Sequence, residues 1–147
     1  MSLKEQLLEE MKSAMREKDT IRKDTIQMAR AAVLQVEKDN RITLDDDGVI
    51  EVIAKELKKR RDVLPEYEKS GRADLVEGLK AEIDILLKYV PQQLSEQELE
   101  VIVRQAVEET GASSARDMGK VMQAVMPKVK GKADGKMINV IVKKILG

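Results

Sequence analysis

Apolar residues recur along the whole chain at intervals of three and four. Leu3, Leu7, Leu8, Met11, Ala14 and Met15 follow a Ser2 and Glu5 pair that fits a capping box, predicting a first amphipathic helix to about Lys18. Asp19 and Thr20 restart the capping. Ile21, Thr25, Met28, Ala29, Ala32, Val33 and Val36 carry the period through a second helix that fades between Glu37 and Arg41. Asp45, Asp46 and Asp47 put carboxylates at the positive end of a third helix with the stripe Val49, Ile50, Val52, Ile53 and Leu57. It runs toward Glu68, with Pro65 placed to kink it. After a turn at Ser70 and Gly71, the residues Leu75, Val76, Leu79, Ile83, Leu86, Leu87 and Val90 mark a fourth helix that stops before Pro91.

A fresh start follows. Pro91 to Leu94 separates that stop from a new capping box, Ser95 with Glu98. Leu99, Ile102, Val103, Ala106 and Val107 then predict a helix closed by Gly111. Ser114 with Asp117 is expected to cap the next, whose apolar face is Met118, Val121, Met122, Val125 and Met126, ending before Pro127. A polar loop from Lys128 to Lys132 leads to Asp134, which can cap a last helix carrying Met137, Ile138, Ile141, Val142 and Ile145. No stretch alternates with period two long enough to be a strand. The expected fold is all-α, with a larger amino-terminal domain of about four helices (residues 1–94) and a small three-helix carboxyl-terminal domain (residues 95–147).

The composition narrows the chemistry. Without His or Cys the chain has no thiol nucleophile, imidazole base, disulfide or His- or Cys-based metal site. The Glu-x-x-His centre of helical bundles is excluded with them. Two Tyr without Phe or Trp force an aliphatic and methionine core and leave no stacking platform for bases. The 27 basic and 27 acidic side chains cancel, so no whole-molecule field attracts nucleic acid or membrane. The start lacks a signal peptide's build, and no apolar run approaches the roughly 18 residues needed to span a bilayer. A cytoplasmic protein with no membrane partner, metal or cofactor is the expectation.

Charge is uneven. From Arg116 onward there are eight basic residues against two acidic ones, Asp117 and Asp134. Gly131 and Gly135 flank a loop leading into a helix amino terminus, with Lys128, Lys130, Lys132 and Lys136 around it and Lys120 one helix back. Such a loop offers N–H groups and cations to a backbone phosphate. The plainer alternative is a tight turn with solvated lysines. Lys58, Lys59, Arg60 and Arg61 form a second basic cluster, open to phosphate contact or to pairing with Glu56, Asp62 and Glu66. Asp45 to Gly48 invites a calcium reading, but Thr43 and Ala54 stand where acidic ligands are required, so a helix start is the better account. Gly131 to Lys136 is no nucleotide loop. Its glycines are one residue too close and Met137 replaces the magnesium-binding hydroxyl. Met118, Met122 and Met126 form a stripe suited to core packing or to gripping a partner helix. Carboxylates such as Glu96, Glu98 and Glu100 read as helix surface.

Two stretches of the tail, Asp117 to Met126 and Lys130 to Lys136, resemble the GatB/YqeY family. So do Lys59 to Asp62, Tyr67 to Arg72 and Tyr89 to Ser95, so the resemblance spans nearly the whole chain. It implies an all-helical protein whose tail is similar to that of the B subunit of the tRNA-dependent amidotransferase, where the tail helps hold tRNA. The catalytic parts of that complex have no counterpart here. Three functions follow: a tRNA-binding accessory module without catalysis of its own, touching phosphates and helix shape of tRNA or another structured RNA; a protein–protein adaptor using the Met-lined surface; and a non-catalytic part of a glutamine-dependent carbon–nitrogen ligase whose partner subunits supply any enzyme activity.

Overall fold

A computed structural model describes every residue from Met1 to Gly147. Seven α-helices and a short 3-10 turn follow one another without a strand: α1 (Leu3–Arg16), α2 (Thr20–Asn40), α3 (Asp46–Lys69), α4 (Ala73–Leu87), α5 (Glu96–Thr110), the 3-10 turn Ala115–Asp117, α6 (Met118–Val129) and α7 (Gly135–Leu146). The fold is all-α. The chain divides into two compact units, Met1–Pro91 and Gln92–Gly147. The division falls three residues ahead of the expected boundary after Leu94, because the Leu94 N–H already donates to the Lys132 carbonyl at 2.8 Å.

In the first unit, α2 packs against α1, α3 and α4. Its inward residues Ile26, Ala29 and Val33 meet Leu7 of α1, Val49, Ile53 and Leu57 of α3 and Leu86 of α4 in one core. Each fully buried Leu or Ile contributes about 1.5–3 kcal/mol relative to exposure. The acidic run serves two helices. Asp45 caps α3 by accepting from Gly48 N at 2.9 Å, while Asp46 accepts from Leu3 N at 3.0 Å and so adds to the Ser2 cap of α1. The Glu37 carboxylate receives the Lys4 ammonium and the Leu44 N–H, which hold it below the usual carboxylate range.

Several boundaries differ from expectation for local reasons. Helix α1 ends at Arg16 rather than Lys18, which turns left-handed with φ 58°. Helix α4 stops at Leu87 instead of continuing to Pro91. Tyr89, beyond that stop, is buried and donates its O–H to Glu10 at 2.6 Å. Burial first, and the facing carboxylate second, push the phenol's pKa up, so it remains a neutral donor. Pro65 lies inside a continuous α3.

In the second unit, α5, α6 and α7 pack pairwise around an aliphatic core of Leu99, Val103, Val121, Val125, Val129, Ile138, Ile141 and Val142. Both bonds of the Ser95–Glu98 capping box form. Gly111 closes α5 in the left-handed conformation, φ 69°. The expected cap of the next helix is not made by Ser114, which forms no side-chain cap bond. Asp117 instead turns back to accept from Ser113 N at 3.0 Å. Nor does Pro127 end α6: Lys128 and Val129 remain helical, and Val129 is 1% exposed. The hydrogen bond that a helix-interior proline forfeits is offset by burying the valine.

Candidate nucleic-acid interface

The loop between α6 and α7 is a type II turn. Lys132 N donates to Val129 O at 2.8 Å. Lys130 takes φ −54°, ψ 122°, and Gly131 takes φ 74°. Those are the central residues of that turn, and its third position favours glycine because a side chain is strained at positive φ. The turn directs Lys130 and Lys132 to the exterior, where both are exposed.

Asp134 then caps α7, accepting from Lys136 N at 3.1 Å. A carboxylate thus already sits at the helix start that the sequence offered to a phosphate. Gly135 is not a turn residue. It is the first residue of α7, and a Cβ added there would meet nothing within 4 Å.

Lys120, Lys128 and Lys136 are exposed on α6 and α7. Lys128 reaches Glu109 of α5 at 3.4 Å, a pair open enough to water to be worth little. Lys143 and Lys144, outside the loop motif, extend the exposed cations along the last turn of α7. The two acids of this region are committed to backbone. Asp117 is held below the ordinary range chiefly by the Ser113 N–H, with further help from the Ser114 N–H and Lys120.

The second basic cluster is dispersed. Arg60 is buried, 7% exposed. Its guanidinium lies 3.0 Å from the Glu56 carbonyl and 3.5 Å from the Glu82 carboxylate, with Met28 Sδ at 3.8 Å. Lys59 pairs with Glu56 and Lys58 with Asp62, each at 3.0 Å. Arg61 is half-buried. The four do not share an open face, since consecutive residues on a helix are about 100° apart and Arg60 turns inward to meet α2 and α4.

The methionine stripe splits as well. Met118 and Met122 pack on the tail core while Met126 is 43% exposed. A feature without any motif of its own lies beside the turn. Gln93 Nε2 donates to Gly131 O at 2.8 Å, next to the Leu94-to-Lys132 bond. In the sequence Gln93 and Leu94 read as a boundary and as part of the Tyr89 to Ser95 resemblance, with nothing to tie them to the lysine turn.

A family model described as "Yqey-like protein" matches residues 4–146. The chain belongs to the YqeY-like family. Among curated relatives it is similar to "Altered inheritance of mitochondria protein 41, mitochondrial" of Pyrenophora tritici-repentis, 30% identical over 94% of this chain and 77% of that protein. The protein of that name from Kluyveromyces lactis is 37% identical over 56% of this YqeY-like chain and 45% of its own length. An uncharacterised protein of Schizosaccharomyces pombe is 28% identical over 63% of this chain and 72% of its own. Two of these names place their bearers in mitochondria, so the cytoplasmic expectation finds no counterpart in them. No helix of this YqeY-like chain is long and apolar enough to cross a membrane.

Proposed function

We propose that the tail of this YqeY-like chain binds tRNA, or a similarly structured RNA, as an accessory module without catalysis of its own. One observation carries the reading: seven lysines from Lys120 to Lys144 are all exposed, while the only two acidic side chains from Arg116 onward, Asp117 and Asp134, are occupied by backbone N–H groups. Lysines so arranged neutralise phosphates without reading bases, and the tail has no aromatic residue on which a base could stack. Any carbon–nitrogen ligase chemistry would come from partner subunits.

The test is tRNA affinity across a salt series. Replacing Lys130 and Lys132 together by Gln weakens binding at low salt and flattens the slope of log affinity on log salt by about 1.4–1.8 for two lost contacts. Helix content stays the same, because both side chains lie on an exposed turn. A double variant with unchanged affinity and slope moves the adaptor reading ahead.

A further inference from the structure

We infer that Gln93 is a positioning residue for the lysine turn, an inference that rests on the RNA-binding reading above. The segment Gln93 to Leu94 lies against the turn with two donors 2.8 Å from successive carbonyls: the carboxamide on Gly131 O and the Leu94 N–H on Lys132 O. The strap is itself anchored. Leu94 packs on the tail core and Ser95 opens the capping box of α5.

The turn has one internal bond, Lys132 N to Val129 O, and carries cations on two of its four residues. Like charges repel, and a two-residue turn centred on a glycine has many alternative conformations. Two external donors on adjacent carbonyls restrict two successive peptide groups, Gly131–Lys132 and Lys132–Ala133. The ammonium groups are thereby presented from one backbone geometry, and less ordering remains to be done when a phosphate backbone arrives.

Gln93 touches no ligand in this scheme, so its removal acts through Lys130 and Lys132. Because the carboxamide supplies a donor, the chemistry of the replacement matters. An ionised carboxylate at that place faces a carbonyl oxygen with no proton to share, whereas a protonated carboxyl regains an O–H donor.

The experiment uses the full-length chain and tRNA. Gln93→Met weakens binding roughly five-fold, the effect of one net hydrogen bond, and the deficit relative to wild type is the same at pH 7.5 and pH 4.5. Gln93→Glu is at least as weak at pH 7.5 but recovers toward wild type at pH 4.5. A merely structural loss would not produce that divergence. In the unaltered chain, tRNA slows hydrogen exchange at the Leu94 amide, a readout that needs no variant. If both Gln93 variants bind like wild type while the Lys130→Gln, Lys132→Gln chain does not, the strap is irrelevant and the interface stands. If the lysine pair is silent too, both readings fall.

Discussion

Two clusters of four cations behave in opposite ways in this protein, although either could be underlined in the sequence as a phosphate site. Lys58, Lys59, Arg60 and Arg61 lie within α3, flanked by Glu56 and Asp62 one turn away and by Glu82 from α4. Lys128, Lys130, Lys132 and Lys136 lie around a turn whose neighbouring carboxylate in sequence, Asp134, is bound to backbone, and Lys128 meets only an exposed Glu109 at 3.4 Å. A run of cations inside a packed helix distributes itself around the axis and finds counter-ions. A run spread over a turn projects outward. Spacing and the neighbouring acids therefore say more about an anion site than the count of basic residues.

The largest expected effect tests the buried half of that contrast. Arg60→Ala leaves Glu56 and Glu82 facing a partly emptied site and removes packing, costing about 2–4 kcal/mol of stability. The drop is read in denaturant unfolding. Affinity for tRNA in the surviving folded chain stays at the wild-type value; a loss of RNA affinity without a loss of stability would reverse the assignment of the two clusters. Lys59→Gln, by contrast, shifts stability by less than about 0.5 kcal/mol.

A smaller effect separates two glycines that look equivalent in the sequence. Gly131→Ala forces a side chain into φ 74°, at a cost of about 1 kcal/mol. Gly135→Ala, at an unobstructed first helical position, is neutral or stabilises by up to about 1 kcal/mol. Thermal unfolding of the two variants gives the order directly. Equal losses would mean that the turn is not of type II.

How far the sequence reached can be traced in the same residues. Helix α5 was legible at both ends because Ser95, Glu98 and Gly111 act within their own turn. The apolar stripes likewise predicted most of the residues that line both cores, but Ile26 was missed, and Met15, Ile21 and Met28, which share the period, are about half exposed. The ends of α4 and α6 were not legible, because Tyr89 and Val129 are placed by burial against other helices and not by their neighbours in sequence. The same holds for the candidate interface. The lysines and Gly131 were visible as a motif, but Gln93 reaches across 38 positions to find its partner, and the burial of Arg60 depends on α2 and α4. Ser114 illustrates the converse error, where a local signal was present and Asp117 bonded elsewhere.

The smallest effect concerns pH. The carboxyl of Asp117 is depressed below its ordinary 3.8 by the Ser113 and Ser114 N–H groups. A group lowered on folding stabilises the native state above its unfolded pKa, and that contribution is lost as pH falls through the folded value. The tail unit therefore loses a little stability below about pH 4. Asp117→Asn shows a shallower acid-side decline when unfolding is followed against pH; an identical decline in both chains would remove Asp117 from this role.

The double duty of Asp45 and Asp46 also bears on how the first unit comes apart. The free N–H at the start of α1 is satisfied from a residue 43 positions later, so the start of α1 is tied to the α3 amino terminus. First turns ordinarily fray on their own and exchange their amide hydrogens early. Here the opening of α1 and the unwinding of the α3 start are linked events. The Leu3 amide should exchange in step with Gly48, and removing the Asp46 carboxylate should uncouple the two clocks while leaving the α3 cap at Asp45 in place.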